Sequence, residues 1–299
     1  MKVLCVGQSA YDITLPMSGY PIENKKYKIN HQIECGGGSS NNAAYLLSLW
    51  GNEVYLASSI GKDFYGEKIK EELKSVGVNI DYFEEIENVN TTTSYIINNT
   101  LNGSRTILTN KNPLMHFTNS KKIDLHPDVI FLDGNDYQMS LEVLKENKEA
   151  MKIIDAGSMK EGMQELCEMC DYVVCSNDFA KEFSHINFQY EDMNKIKEAY
   201  DILDQSFNGK VIITLESHGS FVKIDNDYYL IPSILVNSVD STGAGDIYHG
   251  AFTHFIMHGY ELKKAIYYSN IAGALSVTKI GSKNSMPKLE EVLSHHELW

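Results

Sequence analysis

The run Asp240-Ser241-Thr242-Gly243-Ala244-Gly245-Asp246 combines the residue types of an anion site with an acid at its mouth. It follows an apolar β-like run, Tyr228 to Ile231 continuing through Ile234-Leu235-Val236, and precedes a helical pattern from Ile247 to Gly259. Glycines at 243 and 245 clear side chains from the backbone where a helix begins. The first N–H groups of a helix are unpaired and carry partial positive charge, so such a turn suits a phosphate or carboxylate. Asp246 beside those donors reads either as a group that handles a proton or as a helix cap, and the local pattern leaves both open.

A second glycine-rich turn, Gly36-Gly37-Gly38-Ser39-Ser40-Asn41-Asn42, opens a helix predicted over Asn41 to Leu49 and ending at Trp50-Gly51. Backbone without Cβ atoms lets a ligand come close, and Asn41 at the helix start can both donate and accept. Asp12 leaves the first predicted strand, Lys2–Val6, through Gly7. The carboxyl ends of strands face the ligand crevice in open α/β sheets, so Asp12 is a candidate for hydroxyl binding; the alternative is a solvated loop acid.

The elements that must position these residues follow from the apolar periodicity. Short continuous runs at Val129–Leu132, Lys152–Ile154, Tyr172–Val174 and Val211–Ile213 alternate with segments of helical length, which predicts a parallel sheet covered on both faces. Val54 to Gly61 reads as a strand and Asp63 to Val76 as an amphipathic helix closed by Gly77. Thr91–Ile97 and Arg105–Leu108 read as a hairpin around Asn102-Gly103. With the rhythm-breaking segment 13–35, in which Lys28 to Cys35 has strand-like alternation, the hairpin predicts a small sheet outside the core. The parse is one domain over residues 1–299, with lid segments at about 13–35 and 91–110.

The net charge of −14 opposes a nucleic-acid partner, and Arg105 is the only arginine. No apolar run approaches a membrane span, and the amino-terminal apolar run is too short for a signal peptide. Five scattered cysteines fit reduced thiols in the cytoplasm; the lone Cys167/Cys170 pair lacks further metal ligands and reads as core. His249, His254 and His258 share one predicted helix without a third ligand and read as satisfied or exposed imidazoles.

The two glycine motifs, their order and separation, and the closing segment Ser276 to Pro287 resemble the PfkB (ribokinase-like) carbohydrate kinases along essentially the whole chain. The resemblance implies a ribokinase-like doubly wound, mostly parallel sheet flanked by helices, with a small β lid over the substrate. It implies ATP-dependent phosphorylation of a hydroxymethyl group of a free sugar. Asp246 would then be the general base, and Gly243, Ala244 and Gly245 the anion hole. Asp12, Gly36, Gly37 and Asn41 would hold sugar hydroxyls, with Arg105 as a lid contact or a surface charge. Asn177, Thr214, Ser217, Gly219, Asn270 and Ser282 would lie along the nucleotide. Mg²⁺ would accompany ATP, and a K⁺-type ion would sit among Asp240, Thr242, Ser276, Lys279, Gly281 and Ser285. The resemblance also brings the expectation of a homodimer through the lid. Alternatives are a nucleoside kinase, or a non-catalytic sugar- or nucleotide-binding regulator on the same fold. Three positions depart from the family pattern: Gly38 replaces a lysine, Ala180 a glutamate, and Glu216 a glycine.

Overall fold

The structure is a computed structural model that describes residues 1–118 and 122–296. A nine-stranded sheet carries, in chain order, β1 (Lys2–Val6), β4 (Glu53–Gly61), β5 (Phe83–Ile86), β8 (Val129–Leu132), β9 (Met151–Ala156), β10 (Tyr172–Ser176), β11 (Lys210–Thr214), β12 (Ser220–Ile224) and β13 (Asp227–Ile231). Their spatial order is β13-β12-β11-β10-β9-β8-β1-β4-β5. β5 to β11 in that order pair in parallel, and β12 and β13 add an antiparallel edge.

The apolar runs are continuous because both faces of this sheet are buried. Val3 and Cys5 join one core cluster and Leu4 and Val6 the other; Ile153 and Ile154, and Val173 and Val174, divide in the same way. Helices α1 (Ser39–Leu49), α2 (Phe64–Ser75), α7 (Ala244–Met257), α8 (Leu262–Ser276) and α9 (Leu289–Leu293) contribute buried residues to the first cluster. Helices α3 (Tyr137–Glu146), α4 (Met163–Glu168), α5 (Asn177–Ser184) and α6 (Met193–Ser206) contribute to the second. Cys167 and Cys170 are buried free thiols there, as the sequence predicts.

The second sheet, ordered β3-β2-β6-β7, is made from β2 (Ala10–Met17), β3 (Ile33–Gly37), β6 (Thr93–Asn99) and β7 (Ser104–Asn110). Register fixes what its faces present. Asp12, Ser94 and Thr109 form one cross-strand row, Thr14, Ile96 and Ile107 the next, and Pro16, Asn98 and Arg105 a third. Because the side-chain period is two, all three rows point to one face, and Ile13, Tyr95 and Leu108 point to the other.

Several sequence boundaries are corrected. Lys28 to Gln32 is not strand: β3 begins at Ile33, opposite Thr14, and the exposed chain before it has no strand to pair with. Ile234 to Val236 is not strand either. Pro232 follows β13 at the edge of the sheet, and Leu235 is 96% exposed. Helix α1 starts at Ser39, two residues before Asn41, because Asp133 caps it from outside: the Ser40 N–H donates to its Oδ2 at 3.0 Å. Helix α7 likewise begins at Ala244, inside the glycine motif. The short strands β5 and β12 are additions to the predicted set.

Candidate active site

The carboxyl ends of β1, β8, β9, β10 and β11 come to one edge of the large sheet, and the lid stands over that edge near β1. Between the lid and the start of α7 lies a cavity of about 280 Å³ whose lining includes Asp12, Arg105, Thr242, Gly243, Gly245 and Asp246. Residues far apart in the chain thus share one space.

Gly243 caps α7 in the left-handed conformation, φ +76°. A Cβ there would lie 2.7 Å from Cβ of Ser282, so this turn requires glycine. Gly245 is exposed, and a Cβ on it would meet no atom within 4 Å. Asp246 is the third residue of the helix, and Asn42 Nδ2 donates to its Oδ2 at 2.7 Å. The carboxylate is therefore oriented by a neutral amide, and no Lys, Arg or His pairs with it among the described residues. One turn along, His249 Nδ1 lies 2.6 Å from Gly245 O, and its Nε2 lies 3.2 Å from Val174 O and 3.5 Å from Asp155 Oδ1. The two glycine-rich motifs meet through Asn42, which directly orients the acid.

Asp12 faces the cavity from β2, 7% exposed. Burial pushes its carboxyl up to about 7, opposed by the Ser94 hydroxyl and reinforced by the Asp246 charge. A Cβ on Gly37 would sit 2.1 Å from Asp12 Oδ2, so the glycine is what allows this acid its place. Arg105 lines the same cavity, and its Nη1 donates to Ser241 Oγ at 2.6 Å, linking the lid to the glycine turn at the start of α7. Gly36 and Asn41 are committed elsewhere: the Gly36 N–H donates to Glu72, and Asn41 Oδ1 accepts from Lys283 Nζ at 2.7 Å.

The positions expected to meet a nucleotide lie farther along the same sheet edge. Ser176 Oγ donates to Gly157 O and Thr214 Oγ1 to Cys175 O, stitching neighbouring strand ends together. Asn177 opens α5; its Oδ1 accepts from Lys181 Nζ at 2.9 Å, while Ala180 packs into the core where the family pattern carries a glutamate. Ser217 is exposed on the turn after β11, and Gly219 follows with φ +97°. Glu216 holds a left-handed φ of +51° in the glycine's place. Asn270 is held by Ser220 and by the carbonyl of Ile231, and Ser282 is buried against Cys35 and Gly243.

Of the positions expected to surround a cation, Asp240 is a hub, 1% exposed. Thr242 N and Oγ1 donate to its Oδ1 at 2.9 and 2.6 Å, and Gly281 N donates to its Oδ2 at 2.9 Å. Ser285 and Ser276 bond to local carbonyls, and Lys279 is exposed. His254 and His258, one turn apart, both reach Asn52, and their rings lie tilted by 47° with centroids 4.5 Å apart.

Asn42, Ser94, Thr109, Glu72 and Lys283 are absent from the residues predicted for the site. Asn42 lay within the first glycine motif and Lys283 within the closing segment, so position could have flagged both. Nothing in the sequence distinguishes Glu72 from other acids of an amphipathic helix.

The sequence matches the profile of the pfkB family carbohydrate kinases over residues 1–289. The chain belongs to that family. Similar curated proteins include a ribokinase of Lactococcus lactis, 29% identical over 97% of this chain and 95% of the relative. A nucleoside kinase of Methanocaldococcus jannaschii is 23% identical over 99% and 97%. Among solved structures, Arabidopsis thaliana ribokinase complexed with ribose and ATP superposes with a TM-score of 0.79 at 21% identity, covering 98% of this chain and 97% of that one. This pfkB-family chain is thus a kinase with the ribokinase-like fold, which sets aside the reading as a binding regulator without turnover. Among the described residues no helix is long and apolar enough to cross a membrane.

Proposed function

We propose that the chain transfers the terminal phosphoryl group of ATP to a hydroxymethyl group of a free sugar. The observation that carries this reading is the Asp246 carboxylate, held by Asn42 at 2.7 Å, opening into one cavity with Asp12 and the bare backbone of Gly243 and Gly245. A sugar hydroxyl is a weak nucleophile; Asp246 removes its proton as the bond to phosphorus forms. The transferred group needs positioning and charge stabilisation more than covalent help, and the N–H groups of residues 243–245 at the start of α7 supply donors. Asp12 and the Ser94–Thr109 row hold the other hydroxyls, while Arg105 brings positive charge from the lid. The nucleotide lies along the ends of β10 and β11, by Asn177, Thr214, Ser217 and Gly219, with Asn270 and Ser282 shaping the wall behind it.

No group of three or more His, Cys, Asp or Glu among the described residues is placed to hold a metal. This donor set suits Mg²⁺ carried in on the phosphates of ATP with water completing its shell. Asp240 fits a K⁺-type neighbour. It is a buried carboxylate with neutral donors and no ion-pair partner among the described residues, so its uncompensated charge suits a monovalent cation. A nucleoside is the second reading for the acceptor, favoured by Ile96 and Ile107, an apolar row in the middle of the lid face.

The test is ADP release with free hexoses, pentoses and nucleosides, in K⁺ and in Na⁺, with Asp246→Asn as the comparison. The expected outcome is turnover of a sugar, faster in K⁺, with kcat in D246N lower by about 10² to 10⁴ and sugar binding kept. Turnover unaffected by D246N would remove Asp246 as the base, and turnover of nucleosides alone would replace the sugar.

A further inference from the structure

One position of the large sheet breaks the apolar pattern beneath α7. Ile153 and Asp155 of β9 project to the same face, and Ile153 packs in the core cluster shared with Ile247 and Ala251 of α7. An acid at 5% exposure therefore stands where the strand period calls for an apolar residue. Facing it from α7 is His249, 4% exposed, with Nε2 3.5 Å from Asp155 Oδ1. Val174 is the register partner of Asp155 on β10, and its carbonyl oxygen lies 3.2 Å from the same Nε2. The other ring nitrogen, Nδ1, lies 2.6 Å from Gly245 O.

These partners fix the protons on the ring. A neutral imidazole has one N–H and one bare nitrogen that only accepts. A backbone carbonyl also only accepts, and each nitrogen of His249 faces one, so each nitrogen has to donate. Donors on both nitrogens make the ring an imidazolium, and a buried cation needs a counter-charge. Asp155 supplies it. Burial pushes the Asp155 carboxyl up; His249 is the foremost influence against that rise and Lys160 a lesser one, while Asp246 and Asp133 add to it. On β10 the neighbouring Cys175 thiol is buried and pushed up as well, which keeps it neutral.

The bond to Gly245 O carries the pair to the cavity. Gly245 lines that cavity, and a Cβ on it would meet no atom within 4 Å, so packing does little to fix its backbone. Its carbonyl belongs to the peptide unit that also carries the Asp246 N–H, a donor at the helix start. In a trans peptide the two groups point in opposite directions, so holding the oxygen aims the hydrogen. A bond from a charged donor also polarises the peptide and strengthens its N–H.

Resting on the sugar-kinase reading above, we infer that His249 is a positioning residue: as an imidazolium paired with Asp155, it holds the Gly245–Asp246 peptide in the orientation that presents the Asp246 N–H and carboxylate to the cavity. The N–H then meets charge that develops only as the phosphoryl group moves. The effect therefore falls on kcat and not on sugar affinity.

Two measurements test this. Long-range nitrogen–proton correlation spectra of the ligand-free protein, taken at about pH 7, show how many protons the His249 ring holds, the ring being assigned through its own backbone signals. Both nitrogens are expected to carry a proton in the wild type, and only Nδ1 in Asp155→Asn, where the counter-charge is gone. The second measurement is steady-state kinetics with the best acceptor. His249→Gln offers a neutral donor without the charge; its kcat is expected to fall about tenfold, with the sugar KM changed by less than about threefold. D155N, which keeps the ring, should lower kcat by less than H249Q does. A wild-type ring with one bare nitrogen would overturn the inference, as would a folded H249Q enzyme that loses thermal stability and keeps full kcat. If H249Q does not fold, the wild-type spectrum and the D155N spectrum and kinetics decide. If no acceptor is turned over, the sugar-kinase reading falls by itself. The ring spectra and the Asp246 backbone amide signal then decide: that signal is expected to move in both variants, and one unmoved would overturn the inference.

Discussion

At the scale of single residues, Asp12, proposed above to hold sugar hydroxyls, is an acid buried at a cost to stability. Its carboxyl is raised to about 7, chiefly by burial. An unfolded chain releases that proton near pH 4, so between about 4 and 7 the folded protein holds more protons than the unfolded one. Stability contributed by this group therefore falls as pH rises through the window. Asp12→Asn is expected to stabilise the ligand-free protein on the order of 2 kcal/mol at pH 8 and less at pH 5. The same change should weaken sugar binding. Urea unfolding at the two pH values checks it, and a gain independent of pH would assign the effect to packing instead of charge. Asp246 differs because it is less buried and has an amide partner. Its substitution is expected to cost turnover and to leave folding nearly untouched.

At the scale of elements, the start of α7 carries the argument. Gly243 is bound to its left-handed φ and to the space that Ser282 leaves it, whereas Gly245 has open space around it. Gly243→Ala is expected to destabilise the protein by about 1–2 kcal/mol. Gly245→Ala should hold stability or raise it by up to about 1 kcal/mol, since alanine is the better helix former, yet lower kcat, because the space it fills is where the phosphoryl group would sit. Calorimetry and kcat measured side by side separate the two roles. A G245A enzyme with full activity would move the anion hole elsewhere. Both glycines stand out in the sequence, but only the backbone angles and neighbours tell a conformational requirement from a steric one.

At the scale of the whole molecule, the lid presents two unlike faces. Its inner rows close the cavity, and on its outer face Tyr95 and Leu108 pair across strands at 41% and 56% exposure. The sequence shows no clear apolar lid surface, because alternation along β7 cannot say which face is covered; register against β6 does. This exposed pair supports the proposed homodimer through the lid, since apolar side chains adjacent on a sheet face gain from being covered. Leu108→Asp is expected to shift a wild-type dimer to monomer in sedimentation analysis. A wild-type chain that sediments as a monomer at micromolar concentration would sink the idea.

The apolar runs and glycine punctuation were enough to determine the architecture, because strands buried on both faces leave uninterrupted apolar stretches and helix starts over anion sites need bare backbone. They marked Asp246, Asp12 and the Gly243–Gly245 turn as candidates and left the role of each open. They misplaced strands at 28–32 and 234–236, since composition cannot show whether a neighbouring strand exists to pair with. Only the tertiary structure decided that Asn42 orients Asp246, that Arg105 faces the cavity, and that Asp133, one of the strand-end acids, is buried as the external cap of α1. It alone brought Lys283 and Glu72 behind Asn41 and Gly36. Those outcomes depend on contacts between residues that can lie more than two hundred positions apart, 204 for Asn42 and Asp246 and 242 for Asn41 and Lys283. No local pattern encodes such a distance; packing does.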